Sequence, residues 1–166
     1  MRDGGIKEEL PIIAGFEVVR DLGVSYSVPS PKSIDHFTYV GTALDLLSNT
    51  SFRMYFKSDD VSALTIKFGD MVMEPVEKDS MYYVELTDIA AKNLDNMYDI
   101  AVSNGARTVT AHHGPLGYGQ WAVTSSSNQN LQYLMMALYH YNQSADVCFG
   151  IRNMAEATSL NRRSEP

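Results

Sequence analysis

Between residues 52 and 113, apolar side chains recur at every second position in short runs cut by turn residues; after His113 the spacing lengthens to that of a helix. An alternating run buries one face of a strand and leaves the other outward, so the chain must first build sheets and then helices. Phe52, Met54 and Phe56 alternate with Arg53, Tyr55 and Lys57, and Leu64, Ile66 and Phe68 with Thr65 and Lys67. In "MYYVELTD", Tyr82, Val84 and Leu86 share one face, while Tyr83, Glu85 and Thr87 share the other. Tyr98, Ile100 and Val102 repeat the inward set, and "RTVTAHH" returns. Between them, Asn104–Gly105 predicts a two-residue type I′ turn with both residues at positive φ. "MVMEPV" predicts a weak return strand, held to a sheet edge by Pro75. Residues 38–57 predict two strands around Ser48–Asn49–Thr50, and residues 12–28 one or two more before the break at "PSPKS". Residues 89–96 fit a helical turn or a crossover.

Gly114–Pro115 ends the last strand, and "LGYGQWAVTSS" predicts a short helix. Ser126 with Gln129 forms a capping-box-like start for a second helix. In it Leu131, Leu134, Met135, Leu138 and Ala145 keep helical spacing, with Tyr141 or Asn142 at the next turn. Such an apolar stripe must be covered, and the expected solution is a lid over one face of the sheet.

At 166 residues the length fits one domain. The expected division is a lead-in over 1–11, one β-rich domain over 12–150 and a tail over 151–166. A net charge of −7 disfavours nonspecific attraction to nucleic acid or anionic membrane. No apolar run reaches the length of a membrane span. Cys148 is the sole cysteine, so no intrachain disulfide forms. "MRDGGIKEEL" lacks a charged stretch followed by an apolar one and does not read as a signal peptide; export would require a leader removed from or outside this chain.

Several residues invite a chemical reading and receive a plainer one. His112 and His113 are adjacent on a strand, so they point to opposite faces and cannot chelate one metal together; one packed and one solvated imidazole is the expectation. "KSDDVS" places two carboxylates in a turn without calcium-loop spacing. Cys148 and His140 lack an orienting partner or an oxyanion-hole motif. The glycines of "GPLGYG" do not follow a phosphate-loop pattern and are expected to permit close packing. The sequons at Asn49 and Asn142 are weak signals. No catalytic residue, metal ligand or cofactor is expected. The ten tyrosines are more suggestive. Tyr55 and Tyr83 fall on outward strand faces together with Arg53, Lys67 and Glu85, and these five residues form the candidate ligand-binding face. Flat aromatic rings beside polar groups suit a sugar ring or a protein surface. The competing reading is that strands favour tyrosine and that the rings are covered by other elements.

The phrases "TALDLLSNTSFRMYFKSDD", "LTIKFGDMVMEPVEKDSMYYVELTDIAAKNLDNMYDIAVSNGARTVTAHHGPLGYGQWAV" and "NLQYLMMALYHYNQSAD", in that order, resemble a β-rich module with C-terminal helices found in secreted multimodular proteins of gut- and rumen-type Gram-positive anaerobes. The resemblance rests on Tyr82-Tyr83-Val84-Glu85-Leu86 followed by Ile89, Ala91, Leu94 and Tyr98, on Pro115-Leu116-Gly117-Tyr118, and on Leu131, Leu134, Ala137, Leu138, Tyr139, Tyr141 and Ala145. It covers roughly residues 39–146; Gly117 and Gly119 depart from its first helix, and the flanks match none of it. It implies a secreted or cell-surface accessory module beside enzymes, repeats or anchoring modules, and it implies no particular ligand and no catalytic set.

The expected fold is therefore mainly β: an antiparallel β-sandwich or half-barrel, immunoglobulin-like, with two C-terminal α-helices packed on it. The expected function is a non-catalytic accessory module serving adhesion, spacing or glycan contact. Its partners would be polysaccharide or neighbouring protein modules, with no nucleic acid and no membrane span. The alternatives are a dedicated carbohydrate-binding module using the aromatic sheet face, and a small enzyme without a legible motif.

Overall fold

The computed structural model describes residues 21–149. The strands expected over 12–20, the lead-in and the tail lie outside the described residues. Among the described residues, nine strands form two antiparallel sheets, and two helices follow them. The first sheet runs β1 (Ser33–Ile34), β2 (Phe37–Asp45), β3 (Ser51–Lys57), β7 (Met81–Leu86), β6 (Val76–Lys78). The second runs β5 (Met71–Met73), β4 (Thr65–Phe68), β8 (Tyr98–Ser103), β9 (Thr108–His113). Helix α1 spans Pro115–Ser125 and α2 spans Gln129–Cys148. Where one domain is expected over 12–150, the described residues group into two compact units: residues 24–118 carry both sheets, and residues 21–23 with 119–149 carry α2 and most of α1.

Both sheets turn their apolar alternation to one core. Phe52, Met54, Phe56 and Val84 from the first sheet join Ile66, Phe68, Ile100, Val102, Val109 and Ala111 from the second. Phe52 and Phe68 meet across the layers with ring centres 6.5 Å apart. Burying each such side chain contributes about 1.5–3 kcal/mol, so the two-residue period is the main reason the sheets form.

Local signals within the sheets differ from expectation at two places. "MVMEPV" is not one strand: β5 closes a hairpin on β4, and β6 closes a hairpin on β7 in the other sheet. Pro75, between them, cannot donate to a ladder, and the chain changes sheets there. Asn104–Gly105 is not a type I′ turn, because only Gly105 has positive φ, at 89°. The loop instead holds four residues between the Ser103–Thr108 pair. The Asn104 side-chain oxygen accepts from the Ala106 and Arg107 N–H groups at 3.0 and 2.8 Å, and its amide donates to the Asp35 carbonyl at 3.1 Å. That side-chain bonding satisfies the turn without a left-handed Asn. Both residues of a two-residue loop do take positive φ at Asp79 (51°) and Ser80 (65°), between Lys78 and Met81.

Helix α1 opens on Pro115, whose missing N–H costs nothing at a first position. The cap of α2 is Asn128, not Ser126: its side chain accepts from the Leu131 N–H at 3.1 Å. The buried face of α2 holds Met135, Met136, Leu138, Asn142, Gln143 and Asp146. Leu134, expected within the stripe, is 48 % exposed, and Tyr141 is exposed as well. The inward face keeps Met135, Leu138 and Asn142 of the expected stripe but is turned away from Leu134 toward Met136, Gln143 and Asp146, and so continues through polar side chains that an apolar pattern does not register. Among the described residues no helix is long and apolar enough to cross a membrane.

Candidate functional site

The antiparallel register of β3 and β7 sets Arg53 opposite Glu85 and Tyr55 opposite Tyr83. Phe52, Met54 and Val84 go inward, so by alternation these four side chains stand on the outer face. There they form a connected group. The Arg53 Nε–H donates to Glu85 Oε2 at 2.6 Å, and the Ser51 hydroxyl donates to the same oxygen at 2.8 Å. A second Arg53 nitrogen donates to the Tyr55 hydroxyl at 3.3 Å. The guanidinium carbon lies 4.7 Å from the Tyr83 ring centre, and the Tyr55 and Tyr83 rings are 5.5 Å apart at 45°. The Tyr55 hydroxyl and the Glu85 carboxylate raise the Arg53 pKa further above its ordinary value. The side chains of Arg53 and Glu85 are each 22 % exposed.

The geometry changes the role of the aromatic rings. One side of Tyr83 is occupied by the guanidinium, so that side does not stack a ligand. What the group does offer is a fixed guanidinium. Two of the five N–H donors of Arg53 are used by Glu85 and Tyr55, and the other three have no protein acceptor among the described residues. Next to it, β2 sets Gly41 opposite Tyr55 and Ala43 opposite Arg53. A Cβ built on Gly41 would meet nothing within 4 Å. A low step of small residues thus runs beside Tyr55 and Arg53.

Lys67 is not part of this group. It lies on β4 in the second sheet, exposed, with Val72 and Ala101 as register partners. Alternation places Tyr55 and Lys67 alike on outward faces but does not say which sheet each strand joins. Ser51 and Gly41 belong to the group and are absent from the sequence reading. A glycine inside a strand pattern is the signal that points to Gly41, and the chain has a bulge there, between Tyr39 and Gly41. Ser51 carries no such signal.

The other chemical candidates resolve into structural roles. In "KSDDVS" the two carboxylates diverge: Asp59 pairs with His36 at 2.8 Å, while Asp60 accepts from the Ser62 N–H at 3.2 Å and caps a 3-10 turn at Val61–Ala63. The His36–Asp59 hydrogen bond raises the His36 pKa and lowers that of Asp59. His112 and His113 do point to opposite faces. His112 is exposed and bonds Asp99 at 2.7 Å, whereas His113 is 3 % exposed. Cys148 is exposed, and it follows His140 by eight residues on α2, about 12 Å along the axis. Burial lowers the His140 pKa.

Compared with protein families, curated proteins and solved structures, the chain has no match.

Proposed function

We propose that this chain is a non-catalytic accessory module of a secreted or cell-surface protein, and that its contact surface is the outer face of β3 and β7. The observation that carries the proposal is the guanidinium of Arg53, pre-organised by Glu85, Tyr55 and Tyr83 beside the open step at Gly41 and Ala43. A guanidinium fixed before binding loses little entropy when it engages a hydroxyl or carbonyl acceptor. A neutral glycan segment suits the face, because Glu85 already balances the Arg53 charge. The segment would rest on Gly41 and Ala43, with the edge of Tyr55 against its apolar side.

The scaffold reading goes with it. The orders β2-β3-β7-β6 and β5-β4-β8-β9 follow the A-B-E-D and C′-C-F-G orders of immunoglobulin-type sandwiches. That likeness supports an immunoglobulin-like module, a scaffold that presents faces and loops and hosts many functions.

The test is migration in native gels cast with soluble polysaccharides, backed by a glycan array. Gly41→Leu fills the step where the backbone has room, so it should abolish retention with the fold intact; Tyr55→Ala should weaken it. Retention unchanged in both variants removes this face as the site. A parent that binds no glycan but captures a neighbouring protein module through the same residues assigns the face to spacing or adhesion instead.

A further inference from the structure

His113 ends β9, and its ring is enclosed. It stacks on Tyr26 with ring centres 4.9 Å apart and an angle of 21°, and it meets the edge of Phe52 at 5.3 Å. The Gly114 N–H donates to Nδ1 at 3.1 Å, which makes Nδ1 the acceptor and leaves the proton on Nε2. That Nε2–H points to the Thr42 hydroxyl, 3.2 Å away. The first turn of α1 closes over the ring at a position where only glycine fits: a Cβ on Gly117 would lie 2.6 Å from Nδ1 and 3.1 Å from the Tyr26 Cβ. The neutral ring therefore joins four pieces of chain: β9, β2, the segment around Tyr26, and the first turn of α1.

Protonation has no place here. A second N–H on Nδ1 would face the Gly114 N–H, donor against donor. The titratable groups on the surrounding elements are His112 on β9, Tyr39 and Asp45 on β2, Tyr98 and Asp99 on β8, Tyr26, and Tyr118 on α1, with Tyr39 next to Thr42 and Tyr26. Of the two carboxylates, Asp45 accepts from the Leu47 N–H and Asp99 is engaged with His112 on the outward face, so neither bonds His113. Burial, with the neighbouring His112 adding to it, holds the His113 pKa down to about 4. The segment around Tyr26 meets the sheet at the Ser27–His112 bridge, next to the Tyr26–His113 stack. The chain also leaves this unit on either side of the clamp, before Val24 and after Tyr118.

We propose that His113 is an acid-sensitive clamp whose protonation releases the Tyr26 segment and the first turn of α1 from the end of β9 while both sheets stay folded. In the released form the ring is solvated and recovers its ordinary pKa of 6.5. The gap between the two values favours release by about 100-fold at pH 4 relative to pH 7. The sign follows from the depressed pKa: closure is intact above pH 6.5 and is lost as pH falls through 4.

Native-state hydrogen exchange followed by NMR on the whole chain, from pH 7 to 4, reads this directly. The amides of Ser27, His112 and Tyr118 should lose about 100-fold of protection, while those of Met54, Val84 and Val102 keep theirs. The variant His113→Phe retains the ring packing and removes the proton site, so its amides should be flat with pH. The Hε1 resonance of His113 in the parent supplies a second reading that needs no variant: it should move only together with the loss of protection. Unchanged protection of Ser27, His112 and Tyr118 at pH 4 overturns the clamp. So does an equal acid response in His113→Phe, or a simultaneous loss at Met54 and Val84, which is global unfolding.

Discussion

The Arg53–Glu85 pair admits a quantitative test, because its geometry brackets its energy. Exposed ion pairs contribute about 0.2–1 kcal/mol, whereas hydrogen bonds to charged groups shielded from water contribute about 1.5–3 kcal/mol. Both side chains are 22 % exposed and the N–O distance is 2.6 Å, which puts the coupling between these ranges, at about 1–2 kcal/mol. Each single change costs more than the coupling. Glu85→Ala also strips the acceptor from the Ser51 hydroxyl, which sits on a buried residue, adding about 1 kcal/mol. Arg53→Ala also removes the cation from the Tyr83 ring, adding about 0.5–1 kcal/mol. Glu85→Ala should therefore lose about 2–3 kcal/mol and Arg53→Ala about 1.5–3 kcal/mol. The double variant should lose less than the sum of the singles, by the coupling of about 1–2 kcal/mol. Urea unfolding of parent, both singles and the double, followed by far-UV circular dichroism, closes the cycle. A near-ultraviolet tyrosine signal that changes in Arg53→Ala would report the loosened Tyr55–Tyr83 pair. Additivity within about 0.3 kcal/mol would falsify the view that the pair acts as one fixed unit, and with it the pre-organised donor on which the proposed contact face rests.

Leu138→Ala should destabilise by about 2–5 kcal/mol, because its side chain is 9 % exposed, and Leu134→Ala by less than about 1 kcal/mol, because its side chain is 48 % exposed; melting temperatures in the reverse order refute the observed rotation of α2. Gly117→Ala should destabilise by about 1–3 kcal/mol through the clash with His113 and Tyr26, although the same change in a free helix stabilises by about 1 kcal/mol; a raised midpoint in urea argues against the close approach. Asn104→Ala removes two accepted bonds and one donated bond from the β8–β9 loop and should cost about 1–2 kcal/mol, whereas a two-residue turn carried by Gly105 would leave Asn104→Ala nearly neutral.

The sequence by itself determined which side chains face inward. Phe52, Met54, Phe56, Ile66, Phe68, Val84, Ile100 and Val102 are all legible from alternation, and all are buried. The change to helical spacing after His113, the opposed faces of His112 and His113, and the close packing at Gly114 and Gly117 were legible too, where a Cβ on Gly114 would run into the Asn96 carbonyl. These features depend on the period of the backbone or on one residue's volume, and both are local. Only the tertiary structure decided which sheet each strand joins. β5 and β6 share one short apolar phrase yet pair in different sheets, and Lys67 parts from Tyr55 for the same reason. Strand pairing is a choice among distant partners, made by the fit of whole faces. The same holds for the candidate face. Tyr83 reads as an outward ring, but the register that brings Arg53 opposite Glu85 also lays the guanidinium over that ring. Which tyrosine stays open therefore depends on a cross-strand neighbour some thirty residues away in sequence, a relation that no single stretch of the chain encodes.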